Sequence, residues 1–366
     1  MRIAIIGIRG LPPRYGGSET MVEELGSRLA AAGHEVIAYC RYHNAKDSEE
    51  LHSSYRGIRL IHLPSINTKN LDTITHSFLA CWHIGLRNTA DVVFVLNPGH
   101  AVLLPILKLF GKKFLVQIDG MDWTRKKWNP LVRRMFRWSM NLVNHWSKEV
   151  LTDNPTMLDW YRKTYHREIH ILPHGANTPE REGTAELAKH GLEPNGYYLF
   201  IGRLIPEKGV HYLIDAYCNV DTQKPLVIVG GSEYTTEYVH RLQECGDDRV
   251  RFLGYIYGEG SRQLISNCYV YVQPSEVEGT SPVLLTAMGY GKCVVVNGIP
   301  ENLYTIGDAG LHFDMNSVDD LAEKIQMLDG KPELVASYGE RARSRVIEHF
   351  NWDRIAEDTL EIFKSL

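Results

Sequence analysis

Residues 2–40 read RIAIIGIRGLPPRYGGSETMVEELGSRLAAAGHEVIAYC. An apolar run (2–7) enters a loop rich in Gly and Pro. A helical stretch follows, in which Met21, Leu25 and Leu29 recur once per turn and Gly33 supplies the stop. A second apolar run (34–40) closes the unit. Both runs are almost continuously hydrophobic rather than alternating, as parallel strands covered on both faces require. Strand, helix, strand in this order predicts a doubly wound α/β domain.

The same rhythm extends along the chain. IRLIHLP (58–64), DVVFVLN (91–97), KFLVQID (113–119) and IHILP (169–173) read as further strands, and after them the sequence turns polar. Alternation then restarts with YYLFIGR (197–203), PLVIVGG (225–231), VRFLG (250–254), CYVYVQPS (268–275) and KCVVVNG (292–298), with helices at HYLIDAYCNV and SPVLLTAMGYG. The predicted organisation is a Rossmann-like domain over 1–176, a linker over 177–196 and a second Rossmann-like domain over 197–348. A final helix over 349–366, amphipathic through Ile355, Leu360 and Phe363, completes it. Ligands of such sheets sit at the carboxyl ends of the strands, so the cleft between two facing domains is the expected site.

Composition narrows the function classes. The 366 residues carry 40 Lys and Arg against 44 Asp and Glu, a net charge of −4 that excludes a broadly basic nucleic-acid binder. The longest apolar run, AVLLPILKLF, falls short of a membrane span and contains Lys108. The opening MRIAIIGIRG lacks the features of a signal peptide, so a cytoplasmic protein is expected. The six cysteines form no CxxC pair, and the sixteen histidines form no spaced ligand set. The cysteines read as core or bystander residues, and neither a metal nor a cofactor is expected.

The first loop is not a dinucleotide fingerprint, because Gly7 and Gly10 do not fit GxGxxG. Gly16 and Gly17, just before a helix, let backbone N–H groups approach an anion, although a Gly-Gly pair taken alone reads first as a flexible turn. In GRLIPEKG (202–209), Arg203 and Lys208 flank a Gly-Pro turn at the end of a strand, where two cations would neutralise a departing diphosphate. Farther on, Glu278 precedes Gly279-Thr280-Ser281-Pro282, a helix start with good capping chemistry. An anion cradle beside a carboxylate suits a ligand that is half phosphate and half sugar.

Together GGSE, GRLIPEKG, VRFLGY, SEVEGTSPVLLTAMGYGK and ENLYTIGDAG resemble the family-four glycosyltransferases of the GT-B fold over nearly the whole chain. The resemblance implies two Rossmann-like domains, an acceptor site in the first and a nucleotide-sugar site in the second. It also implies a metal-independent transfer that retains the anomeric configuration. Gly16 and Gly17 would meet donor phosphate and acceptor, and Arg203 and Lys208, after Gly202, would bind the diphosphate. Glu278 would hold the donor sugar, Gly279, Thr280 and Ser281 would cradle phosphate, and Gly254 with Tyr255 would lie by the base. Two positions depart from the family. Thr286 stands where a second Glu usually binds ribose hydroxyls, and a hydroxyl accepts less than a carboxylate. Asp119 stands where many members place a His near the sixth carbon of the donor sugar. DGMDWTRKKW (119–128) and the PPRYGGSET opening resemble a bacterial rhamnosyltransferase subgroup, and a 6-deoxy sugar fits a changed residue there. Asp119 would orient either sugar; as a strand-end cap it would do no chemistry.

Residues 123–148 stand apart. They hold Arg125, Lys126, Lys127, Arg133, Arg134, Arg137 and Lys148, no acidic residue, and four of the seven tryptophans, including Trp128. Leu131, Met135, Leu142 and Trp146 keep helical spacing. Two readings remain open: a helix docking on an anionic membrane surface, or a core-packed helix with a solvated basic face. The first would place the protein peripherally at the inner membrane face, with a saccharide or polyprenyl-diphosphate-linked saccharide as acceptor. His174 reads as a hinge or cleft-wall residue. The leading expectation is a transferase that moves a sugar, L-rhamnose by the subgroup resemblance, from a nucleotide diphosphate in surface polysaccharide synthesis. A nucleotide-sugar epimerase and a catalytically silent sugar-nucleotide binder are the rivals.

Overall fold

A computed structural model of the chain describes residues 1–13, 17–44, 51–68, 71–118, 120, 123, 130–232 and 236–366. The chain divides into two compact units, Met1–Pro173 with Trp352–Leu366, and His174–Asn351.

The first unit is built on β1 (Arg2–Ile6), β2 (Glu35–Arg41), β3 (Ser54–Tyr55), β4 (Ile58–Leu63), β5 (Val92–Leu96), β6 (Lys113–Ile118), β7 (Glu149–Thr152) and β8 (His170–Ile171). They lie in the order β3-β4-β2-β1-β5-β6-β7-β8, and every pairing is parallel except β3 with β4. Burial on both faces is explicit in β1. Ile3 and Ile5 enter one core cluster and Ala4 and Ile6 the other, all 0–1% exposed. Each such isoleucine contributes roughly 1.5–3 kcal/mol. The Gly17–Ala31 helix covers the first face through Met21, Leu25 and Leu29. The closing helix, Trp352–Ser365, joins that cluster through Trp352, Ile355 and Phe363, with Leu360 at its margin. Phe363 meets Phe94 edge-on at 5.8 Å, and Asp353 pairs with Arg28 at 2.6 Å.

The second unit contains β9 (Tyr198–Ile201), β10 (Leu226–Val229), β11 (Val250–Gly254), β12 (Val270–Gln273), β13 (Cys293–Asn297) and β14 (Leu311–Phe313). The order is β11-β10-β9-β12-β13-β14, wholly parallel. Tyr198 and Phe200 point into one core cluster, Leu199 into the other. The strand order reverses beside β1 in the first unit and between β9 and β12 in the second, the switch points where doubly wound sheets place ligands.

Three predictions of detail are corrected. Residues 177–196 are not a linker but part of the second unit. Arg181 Nε donates to Asn267 Oδ1 (2.5 Å) and the Glu186 amide to Gln263 Oε1 (2.7 Å), and a short helix, Ala185–Lys189, packs there through the buried Leu187. Most of the stretch is exposed, and these few contacts to the Gly258–Asn267 helix anchor it to the second unit. The predicted strands 197–203, 225–231 and 268–275 each stop two residues short, because glycine or proline takes over at the carboxyl end. Gly230, at φ +134°, comes so close to Gly202 that a Cβ would lie 1.8 Å from its carbonyl oxygen. Finally, β7 is a strand the hydrophobic pattern missed, its four residues EVLT being too short a run to register.

Candidate active site

The turn after β9 is held in place by backbone contacts. The Gly202 amide donates to the Val229 carbonyl (3.0 Å), the Leu204 amide to Gly231 (3.0 Å) and the Gly230 amide to Gly254 (2.7 Å). Gly202, Gly254 and Tyr255 thus share one rim, with the Tyr255 ring lying against Gly231. Tyr255 is exposed and stacks on Tyr257 at 5.8 Å, with ring planes 10° apart.

The loop after β12 locks onto the same turn. The Glu276 amide donates to the Glu207 carbonyl at 3.0 Å. Gly209, at φ +65°, lies so close that a Cβ would fall 2.0 Å from the Pro274 carbonyl oxygen, so no other residue fits there without moving the loop. This contact brings Lys208 and Glu278 together, 70 positions apart in sequence. The Lys208 ammonium donates to Glu278 Oε1, with only 19% and 9% of the two side chains exposed. Gln273 Nε2 donates to the same oxygen (2.6 Å) and to Ser275 Oγ (3.0 Å). Tyr271 fixes that amide by donating to Gln273 Oε1 at 2.7 Å. Burial raises the Tyr271 hydroxyl well above its ordinary range, so it stays a donor. Beside it, Tyr212 donates to Glu276 at 2.7 Å, and that hydrogen bond pushes the phenol up to about 12.

This geometry revises the idea of two equivalent cations. Lys208 is compensated by Glu278, whereas Arg203 is exposed on the rim and pairs with no described side chain. Arg203 and the capped helix start therefore carry the uncompensated positive potential. Ser281 caps the Pro282–Gly289 helix by accepting from the Leu284 amide, and Thr280 and Ser281 are both buried. Thr286 lies on that helix, and its hydroxyl donates to the Pro282 carbonyl at 2.7 Å. Its proton is committed to the backbone, which leaves Thr286 an acceptor only.

In the first unit Gly17 opens the Gly17–Ala31 helix, and the nearby buried Glu19 accepts from the Arg9 amide at 3.1 Å. Gly16, Asp119, Arg125, Lys126, Lys127 and Trp128 lie outside the described residues. Three side chains unmarked by any motif gather at the carboxyl ends of β2 and β5. Arg41 is buried and pairs with Asp72 (2.5 Å) and Thr73 (2.9 Å). His76 and His100 are buried, and desolvation pushes both down to about 4, so they are neutral at physiological pH. No spacing rule marks them. Among the described residues, no three His, Cys, Asp or Glu side chains converge as metal ligands.

Residues 184–345 match the family described as Glycosyl transferases group 1. That match falls within the second unit. Residues 1–176 match a domain of unknown function, DUF1972. The stretch 184–345 includes Arg203, Lys208, Glu278 and the helix that bears Thr286. Over both full lengths the chain is 25% identical to the alpha-maltose-1-phosphate synthase of Mycolicibacterium smegmatis. Its fold is similar to sucrose-phosphate synthase from Thermosynechococcus elongatus, at TM-score 0.86 and 22% identity over 100% of this chain and 98% of that one. It is also similar to Anabaena HepE in complex with UDP-glucose, at TM-score 0.81 and 16% identity over all of both chains. These likenesses place the chain in the GT-B fold class.

Proposed function

We propose that the chain moves a sugar from a nucleotide diphosphate donor to a saccharide or lipid-linked saccharide acceptor, with retention and without a metal. The observation that carries this reading is the Lys208–Glu278 pair, set beside the exposed Arg203 at the switch point between β9 and β12. A lysine has three N–H donors and a carboxylate about four acceptor positions. Lys208 therefore keeps Glu278 in place while offering its other protons to phosphate, and Glu278 accepts from hydroxyls of the donor sugar. The bond from the anomeric carbon to the diphosphate oxygen breaks as the acceptor hydroxyl approaches the face being vacated. The hydroxyl proton passes to the leaving phosphate oxygen, and Lys208, Arg203 and the helix start beyond Ser281 stabilise the anion.

The resemblance of 119–128 to a rhamnosyltransferase subgroup supports L-rhamnose as the sugar, with Asp119 near its 6-deoxy end. The UDP-glucose bound in the similar HepE structure supports a nucleotide-hexose donor more generally. A transfer assay with dTDP-L-rhamnose, UDP-glucose and GDP-mannose, run with chelator present, tests both levels. Turnover of dTDP-L-rhamnose with the α or β configuration preserved is the expected result. Turnover of a hexose donor alone removes the rhamnose assignment, and product inversion removes retention.

A second reading, binding without turnover, draws on the back-bonded Thr286. Thr286→Glu restores a bidentate acceptor and is expected to tighten nucleoside diphosphate binding about tenfold, near 1.4 kcal/mol. Calorimetry that shows no gain means the ribose lies elsewhere.

A further inference from the structure

Among the described residues, one helical layer of the first unit leaves large apolar side chains exposed, and its chemistry matches a lipid surface. The Asp72–Arg87, Leu104–Leu109 and Pro130–Trp146 helices bury residues in a single core cluster, among them Cys81, Leu107 and Met140. They are joined side to side: Trp82 meets Phe110 edge-on at 5.4 Å, and the Lys108 ammonium lies over the Trp146 ring at 4.8 Å. The Pro130–Trp146 helix turns Ser139, Met140 and Val143 inward. A flank of the same helix presents Leu131, Met135 and Trp138, spaced one turn apart and 76%, 52% and 51% exposed. This divides the predicted stripe, because Leu142 and Trp146 pack on the core while Leu131 and Met135 face solvent. Leu109 and Leu86 on the neighbouring helices are 73% and 70% exposed. A core-packed helix with a merely solvated basic face does not account for this row of large apolar side chains.

Charge selects the occupant. Residues 72–148 hold eleven Lys and Arg, four Asp and no Glu, within a chain whose net charge is −4, and Asp72 is paired with the buried Arg41. Of those aspartates, Asp91 is bound to Arg2 at 2.6 Å, and Asp119 and Asp122 lie outside the described residues. Arg134 and Arg137 are exposed beside the apolar row, with Arg133 half-buried. No described helix is long and apolar enough to cross a membrane. Apolar side chains rimmed by cations on a helix lying flat are the features of interfacial binding.

We infer that this face docks on an anionic bilayer, with Leu131, Met135 and Trp138 entering the acyl boundary and Arg134 and Arg137 meeting lipid phosphates. The inference rests on the transfer reading only for its purpose, which is to hold the chain beside a lipid-linked acceptor. Sedimentation of the full chain with vesicles of phosphatidylcholine and phosphatidylglycerol, against phosphatidylcholine alone, tests it. Binding to the anionic vesicles alone, weakened by high salt, is expected. Arg134→Gln with Arg137→Gln should lower partitioning about 25-fold, roughly fivefold per cation. Leu131→Ser with Met135→Ser and Trp138→Ser should abolish it while sugar-nucleotide turnover persists. Equal binding to neutral vesicles, unchanged binding by either variant, or a dimer dissolved by the serine variant without vesicle binding would overturn the inference. Vesicle binding by a chain that turns over no sugar nucleotide would instead leave the docking face standing and remove the transferase reading.

Discussion

Lys208→Ala is expected to lower sugar-nucleotide turnover about 10²–10³-fold, the cost of losing one preorganised donor to a developing oxyanion. The fold should survive, because Lys208 lies in a turn held by backbone contacts between Glu276 and Glu207 and by Gly209 against Pro274. Arg203→Ala should cost less, about tenfold or about 1.4 kcal/mol of transition-state binding, since its exposed guanidinium is screened by water. Steady-state rates with unchanged circular dichroism would establish both. Near-normal rates in the two variants would remove the diphosphate assignment.

The second large effect concerns Glu278. Glu278→Ala strands the Lys208 ammonium in a mostly buried position and leaves Gln273 Nε2 with Ser275 Oγ as its remaining acceptor. Breaking such a pair costs more than the pair itself contributes, because the remaining charge stays desolvated. Turnover should fall about 10²-fold or more, and the effects should not add. Lys208→Ala and Glu278→Ala together should cost little more than either alone, with a coupling of roughly 0.5–3 kcal/mol. Additive losses would mean that the two side chains act independently on the donor.

The parallel sheets were legible in the sequence because strands buried on both faces are written as unbroken apolar runs, as at Ile3–Ile6 and Leu226–Val229. The rim was legible too, since glycine and proline at 202–209 mark where those strands end. What periodicity does not carry is pairing across distance. Lys208 and Glu278 looked like one cation and one carboxylate with separate duties, and their contact follows only from the meeting of two loops at Gly209 and Pro274. Gln273 and Tyr271 were hidden for a related reason: inside an apolar strand they read as core, yet they orient Glu278 by hydrogen bonds. The polar run 177–196 misled in the opposite direction. A polar, largely exposed stretch can still be fixed to a domain by a few buried partners, as by Asn267 and Gln263 here. On the basic helix, spacing alone assigned Leu131 and Trp146 to one stripe, although only Trp146 reaches the core.

A crystal structure of the chain soaked with its sugar nucleotide tests the electrostatic arrangement most directly. The diphosphate should lie about 3 Å from the Lys208 ammonium and within reach of Arg203, with sugar hydroxyls on Glu278. A diphosphate bound elsewhere, with Lys208 and Glu278 still engaged solely with each other, would contradict it.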